Sequence, residues 1–457
     1  MKLVWTVLLL AGTVLAPVEQ QQQTIDQQRQ EAERRAAEQR RQQEEENRRK
    51  RMEEILGPST VGLPKNIPFV LELGVCAVMP EDTGFDLQSV PLDQWLDEKD
   101  VTEIPWKVQV DKPQLRMDQR HSVSYSVRIR LNNVNAAAAG REFVFVSSVS
   151  SIDGRWLMPP KAGKQPVKTM PAPEIQVQFN ECVFARPGEY VLWLVLYDIK
   201  TGMHNVAKRR IQIPQLKNDP LPQLNSRLPL VEFPQLSGPD PELMSMIPGP
   251  LFLPVANKRP IALELVAVVS PSEQWPGRLD ILNSQRRRVL AAVTTLAQMQ
   301  LSKSSISVTG IDLVNRQIPF EQRDLRDLDW SALAAAFARP IDTKKVTVAA
   351  LENSKTRGAF FRDTLAQRLR NPVEPLQVIV VISNNVLLES GSDLEPLRLE
   401  GDCGCRFYHI RFPLNKDDLF DDIRQLIKRF QPKTFNVASP LDLREAVAAI
   451  ASDIATF

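Results

Sequence analysis

Between Pro214 and Pro260 the chain carries eleven prolines, including Pro220, Pro222, Pro229, Pro234, Pro239, Pro241, Pro248, Pro250 and Pro254. Each fixes its own φ and withholds a backbone donor, so this stretch can be neither a helix nor the interior of a sheet. It is a stiff connector, and the 457-residue chain is expected to fold as separate bodies on either side of it. Leu228, Leu230, Phe233, Leu236, Leu251, Phe252 and Leu253 are scattered through it. Residues 215–260 are therefore expected to lie partly against one domain, unlike a solvated spacer. The cluster also holds nearly a third of the 35 prolines, which outnumber the 18 glycines.

The amino terminus speaks to location. Lys2 precedes an apolar run from Leu3 to Val18, which reads as the hydrophobic region of a secretory signal. Val14 and Ala16 suit a peptidase site, whereas Pro17 obstructs cleavage, so both a removed signal and an uncleaved anchor through residues 3–18 remain open. Either places the rest of the chain outside the cytoplasm, periplasmic or secreted. Residues 19–57 are rich in Gln, Glu and Arg; from Asp26 to Leu56 nine acidic residues match nine basic ones. Glu31 with Arg35, Glu44 with Arg48, Glu45 with Arg49 and Glu46 with Lys50 stand at helical pairing distance, which favours a charged helix. The apolar seam of a coiled coil fails after Ile25 and Ala32, where Gln39 and Glu46 follow. A frayed polar linker is the alternative.

From residue 67 to 214 the pattern alternates with a period of two. Val123, Tyr125, Val127, Ile129 and Leu131 face one way and the polar residues between them the other, as in a half-exposed strand. Further strands are expected at Phe69–Val78, Trp106–Val110, Arg141–Ser148, Glu174–Phe179, Glu189–Ile199 and Val206–Ile213, giving an all-β sandwich. Arg186-Pro187-Gly188-Glu189-Tyr190, leading into Val191–Tyr197, resembles the corner and strand of immunoglobulin-like domains. Cys76 and Cys182 fall on two of these strands; a disulfide and two buried thiols both fit the spacing.

After Pro260 strands and helices alternate. Ile261–Val269 and Leu376–Ser383 are near-continuous apolar runs suited to buried parallel strands, and helices are expected at Arg278–Gln300, Trp330–Ala338, Phe360–Leu369, Asp417–Phe430 and Leu441–Ile454. Strands at Ser304–Val314, Cys405–Phe412 and Thr434–Val437 complete a doubly wound α/β sheet. Its end, Thr434-Phe435-Asn436-Val437 followed by Ser439-Pro440-Leu441-Asp442-Leu443-Arg444, resembles a von Willebrand factor type A domain, and the resemblance covers residues 261–457. A sandwich plus such a domain behind a signal is similar to bacterial exported proteins of that family.

The resemblance implies where a metal-ion-dependent adhesion site would stand. Metal-binding members carry an Asp-x-Ser-x-Ser loop after the first strand, a Thr before a middle helix and an Asp after the fourth strand, because a hard divalent cation needs charged oxygen ligands. Here Ser270 stands where the first Asp belongs and Gln274 where the second Ser belongs; Ser272 alone matches. Ala359 falls at the Thr position and Asn384 at the last Asp. The site is degenerate and no metal or other cofactor is expected. Ser272, Glu273, Asn384 and Asn385 are the binding candidates at this edge.

Other constellations point away from enzymes. No Gly-rich phosphate loop, nucleophile elbow, HExxH or matched carboxylate pair can be placed. Cys403-Gly404-Cys405 supplies too few ligands for zinc; a disulfide and free thiols are the two readings. His409 reads as an ordinary strand residue, and the triplets Lys208–Arg210 and Arg286–Arg288 as solvated faces. A net charge of +2 gives no field for nucleic acid. The sequence thus points to a non-enzymatic extracytoplasmic protein-binding or scaffold protein. A metal-dependent adhesin with a displaced ligand set is the alternative, and an envelope enzyme has the least support.

Overall fold

The computed structural model describes residues 91–98, 100–130, 141–166, 176–222, 224, 227–234, 252–269, 279–302, 304–323, 328–329, 332–333, 335–336, 355–369, 375–386, 388, 395–397, 403–413 and 421–457. All fall within one compact unit, Phe69–Phe457. The expected signal, the charged helix, the strand Phe69–Val78 and the loop Ser270–Gln274 lie outside the described residues. What is described is a β-rich protein with several sheets.

Short helix α1 (Leu92–Asp97) precedes strands β1 (Val101–Thr102), β2 (Trp106–Val110), β3 (Gln114–Leu115), β4 (His121–Arg130), β5 (Glu142–Ser151), β6 (Lys161–Pro166), β7 (Gln176–Ala185), β8 (Gly188–Asp198), β9 (His204–Ile213) and β10 (Val231–Glu232). They form two antiparallel sheets, ordered β1-β9-β8-β5-β6 and β10-β7-β4-β2, with β3 attached to β4. The period-two alternation explains the layering. Val123, Tyr125, Val127 and Ile129 of β4 share one core with Phe143 and Phe145 of β5 and Leu192, Leu194 and Leu196 of β8. Each such side chain contributes about 2 kcal/mol by leaving water. β8 lies in the middle of its sheet, where its apolar run can be covered on both faces. The Tyr190 hydroxyl donates to the Arg186 carbonyl at 2.9 Å and pins the turn into β8. A side chain at Gly188 would meet that hydroxyl at 3.0 Å.

Two sandwich features are not visible in the periodicity. Strand β6, Lys-Ala-Gly-Lys-Gln-Pro, has no apolar alternation. Its Lys161 reaches between the sheets to within 3.4 Å of Glu181, which also accepts from Tyr125 at 2.9 Å and Ser147 at 2.7 Å. The polar cluster offsets the cost of burying the Glu181 carboxylate.

The second body contains β11 (Leu253–Val255), β12 (Ile261–Val268), α2 (Leu279–Leu296), β13 (Met299–Leu301), β14 (Ser305–Asp312), β15 (Gln317–Gln322), α3 (Lys355–Arg368), β16 (Leu376–Asn384), β17 (Arg406–Phe412), α4 (Asp422–Ile427), β18 (Lys433–Asn436) and α5 (Pro440–Thr456). Six strands form one sheet in the order β15-β14-β12-β16-β17-β18. The neighbours from β14 through β18 pair in parallel, while β15 runs antiparallel at the edge. Leu263, Leu265, Val378 and Val380 pack against α2 and α5. The alternate residues Val266, Val268, Ile379 and Val381 pack against α3 and α4. The near-continuous apolar runs of β12 and β16, interrupted by Glu264, Gln377 and the terminal Ser383 and Asn384, therefore follow from burial on both faces.

Helix α5 begins with a closed capping box. The Ser439 side chain accepts from the Asp442 backbone, the Asp442 carboxylate accepts from the Ser439 backbone at 2.7 Å, and Pro440 occupies the first turn. Helix α2 ends earlier than its pattern suggests: Met299–Leu301 forms β13, paired in parallel with β11. Arg286 and Arg287 are buried, so the triplet Arg286–Arg288 is not a solvated face; Arg286 Nε donates to the Val269 carbonyl at 3.2 Å.

The proline segment is shared by both bodies, where contact with one was expected. Leu221, Leu224 and Leu228 enter the core of the parallel sheet. Val231 and Phe233 enter the sandwich core, and β10 pairs with β7 as an edge strand. At this junction Arg444 of α5, 2% exposed, holds Asp219 through two bonds of 2.6 and 2.7 Å and donates to the Leu221 carbonyl at 2.8 Å. Gln119, in the left-handed region at φ 66°, donates from Nε2 to the Pro440 carbonyl at 3.1 Å. Removing the two partners of the ion pair should have unequal effects. Asp219→Ala leaves a buried guanidinium without its counter-charge and should cost about 3 kcal/mol. Arg444→Met leaves a partly exposed carboxylate that water can solvate and should cost about 1–2 kcal/mol. Urea unfolding of both variants measures the difference; equal losses would contradict this ordering.

Candidate functional site

In an open sheet of mostly parallel strands, ligands meet the carboxyl ends of the strands. Here that edge presents Ser383 and Asn384 at the end of β16, Asn385 just beyond it, Arg411 near the end of β17 and Asn436 at the end of β18. Strand alternation divides these residues. Ser383 continues the face of Ile379 and Val381, toward α3 and α4, and Asn384 continues the face of Val380 and Ile382, toward α2 and α5.

The α4 side holds a connected polar cluster. Ser383 Oγ lies 2.9 Å from His409 Nε2, and Arg411 Nε donates to Asn385 Oδ1 at 2.7 Å. Asp421 caps α4 by accepting from the Ile423 backbone, and its Oδ2 stands 3.7 Å from His409 Nε2 and 3.6 Å from Arg411 Nε. Arg411 also reaches Asn436 Oδ1 at 3.4 Å. Ser, His and Asp have come together, but not as a proton relay. Such a relay needs the serine on one ring nitrogen and the carboxylate on the other. Here both address Nε2, while Nδ1 has no hydrogen-bond partner among the described residues. All three are buried, with Ser383 and His409 fully enclosed.

Burial sets the protonation of this cluster. It drives the His409 imidazole down to about 3, with Arg411 and Arg424 adding to the effect. Burial also lifts the Asp421 carboxyl to about 7, against the pull of Arg411 and of the Ile423 backbone N–H.

Asn384 stands apart on the other face. It is 1% exposed, and neither its amide oxygen nor its amide nitrogen has a partner among the described residues. Ala359 lies partly buried in the first turns of α3 and brings no oxygen ligand. Ser270, Ser272, Glu273 and Gln274 lie outside the described residues. Among those described, no group of three or more His, Cys, Asp or Glu could hold a metal ion.

The cysteines lie elsewhere. Cys403 and Cys405 are joined to each other at the amino end of β17, with Gly404 between them at φ 58°, a conformation glycine adopts without strain. Cys182, in β7, is disulfide-bonded, and Cys76 lies outside the described residues. The triplet Lys208–Arg210 is partly engaged: Lys208 Nζ sits 3.9 Å over the Trp193 ring, and Arg209 pairs with Asp100 at 2.9 Å.

Asp421 and Arg411 were not legible as site residues. The available signal was polar residues at alternate positions, Ser383 and Asn385 at the end of one strand and just past it, and His409 and Arg411 in the next.

No family model and no curated protein matches the chain. Among solved structures it is similar to an ApaA protein from Bordetella pertussis, at 13% identity over 25% of this chain and 98% of that one, with a TM-score of 0.16. A Northeast Structural Genomics Consortium target, SoR45, matches at 14% identity over 26% of this chain and 96% of its own, with a TM-score of 0.17. A calcium-binding mutant of beta-glucuronidase 2 from Bacteroides uniformis matches at 8% identity over 60% of this chain and 33% of its own, with a TM-score of 0.19.

The cluster predicts a pH profile. Asp421 is protonated in the fold and ionised in the unfolded chain between 3.8 and about 7, so it removes stability as pH rises through that window. His409 is neutral in the fold and charged in the unfolded chain between about 3 and 6.5, so it removes stability as pH falls. Where the windows overlap the two slopes oppose each other. Asp421→Asn keeps an acceptor for the cap and deletes one slope. Its urea midpoint should rise with pH up to about 6.5 where the parent stays nearly flat. Parallel profiles for the two proteins would refute this protonation pattern.

Proposed function

We propose that this chain is a non-enzymatic extracytoplasmic protein, binding or scaffolding other proteins through a metal-free von Willebrand factor A-like domain and an immunoglobulin-like β-sandwich. A signal or anchor carries it out of the cytoplasm, and the charged segment 19–57 holds the domains away from the envelope. Several features support the type A reading. The sheet order has its antiparallel strand at one edge, helices cover both faces, and the last helix starts with a Ser-Pro-x-Asp capping box. The Tyr190 hydroxyl bound to the carbonyl four residues upstream supports the immunoglobulin-like reading of the sandwich.

The observation that carries the metal-free reading is Asn384. At the end of the strand where metal-binding members place an Asp, this chain presents a neutral amide, buried and facing away from the Asp421 carboxylate. A hard cation bound there would lack the charge that normally offsets its dehydration. The arrangement of Ser383, His409 and Asp421 supports a non-enzymatic reading, because the carboxyl does not address the second ring nitrogen and both Ser383 and His409 are fully enclosed, out of a substrate's reach.

The test is a pull-down from envelope extracts with the whole chain as bait, in the presence of either EDTA or Mg²⁺. The same partner should be recovered under both conditions. Recovery only with the cation would favour the displaced-ligand adhesin and refute the metal-free reading.

A further inference from the structure

At the amino end of the parallel sheet, away from Asn384, a cleft of about 790 Å³ opens between the segment around Leu397 and the end of α4. One wall is fixed by the backbone: the Leu397 N–H donates to the Leu426 carbonyl at 2.9 Å. Three cations line the cleft: Arg424 and Lys428 stand one helical turn apart, and Arg429 follows in the 3-10 turn that ends the helix. All three are exposed, and none makes an ion pair among the described residues. The acids of the same helix, Asp421 and Asp422, lie at its opposite end, and Asp422 accepts from the Leu388 backbone. Three charges converge here in a chain whose net charge is +2.

Two features define the chemistry of the occupant. The remaining wall is largely apolar, with Pro396, Leu397 and Pro432, and Gln431 adds an amide that can donate. The helix end at the cleft is the carboxyl end, whose carbonyls disfavour a compact, dense anion such as phosphate. Phosphate sites instead use backbone N–H groups at helix amino termini. Spaced carboxylates on an apolar scaffold match such a cleft better, since the long cation stems reach outward while the prolines receive apolar side chains.

We propose that this cleft binds an acidic segment of a protein partner, one with Glu or Asp interspersed with Leu or Pro. The inference deepens the protein-binding reading of the chain and rests on it. It also accounts for three cations that make no ion pair among the described residues yet gather around a concavity.

The experiment titrates a fluorescein-labelled peptide of alternating Glu and Leu with the whole chain and follows anisotropy. The triple variant Arg424→Glu, Lys428→Glu, Arg429→Glu should bind about tenfold more weakly or worse, as three modest charge contacts are reversed. Added salt should weaken binding to the parent. Lys200→Glu, an exposed change on the sandwich, should leave binding unaltered. Thermal melts check folding, and Lys428→Gln with Arg429→Gln replaces the triple variant if that one unfolds. No binding by the folded parent, or equal binding by the variant, overturns the proposal. Displacement of the peptide by tripolyphosphate at a lower concentration than by unlabelled peptide also overturns it, in favour of a small polyanion. In the pull-down, a triple variant that keeps the EDTA-insensitive partner removes the cleft from the account and leaves the protein-binding reading standing. A parent that captures nothing removes that reading, and the peptide titration then decides the cleft alone.

Discussion

A buried arginine at the start of the last helix joins the two bodies of this protein. Arg444 spends its guanidinium on Asp219 and on the Leu221 carbonyl, both from the proline segment, and Gln119 from the sandwich completes the contact. A guanidinium with 2% exposure is tolerable only if it is fully engaged, so the loops that engage it must be held in place. Proline stiffness does this at small entropic cost, because the segment has little conformational freedom to lose. The leucines of the same segment then enter the core of the parallel sheet, while Val231 and Phe233 enter the other core. The connector is thus a shared structural element, and each body depends on it for part of its packing.

The same logic of alternation shapes the carboxyl edge. At the end of β16, Asn384, its last residue, and Asn385, just beyond it, enter different environments. Asn385 joins Arg411 and the buried His409–Asp421 pair, while Asn384 faces the other layer as a neutral amide. Ser383, Asn385, His409, Arg411 and Asp421 are directed largely at one another, whereas Asn384 has no hydrogen-bond partner among the described residues. Cations with no ion pair among the described residues, Arg424, Lys428 and Arg429, lie at the other end of the sheet. On the proposed reading, recognition has moved from a metal-bearing edge to a basic cleft.

Much of the layering was legible because burial writes a period into the chain. Trp106–Val110 and the strands at His121, Ile261 and Leu376 follow their apolar patterns closely, since those side chains have only the core to face. Strands β6 and β15 were not legible. Both are edge strands, with one neighbour each, and Lys-Ala-Gly-Lys-Gln-Pro and Gln-Ile-Pro-Phe-Glu-Gln need no apolar alternation there. The triplet Arg286–Arg288 misled for the opposite reason: charge suggests solvent, yet two of its members are buried by helix packing against the end of β12. Asp421 was invisible because its importance comes from a pairing across strand ends that no local pattern records. Cys403 and Cys405 could be read as a candidate pair, but only the turn at Gly404 brings them together.

The central claim is that sandwich, proline segment and parallel sheet form one cooperative body whose fold needs no metal. Differential scanning calorimetry of the whole chain, run with EDTA and again with excess Mg²⁺, tests it most directly. A single transition spanning both cores, with the same midpoint under both conditions, is the predicted result. Two separable transitions, or a midpoint that Mg²⁺ raises, would contradict it.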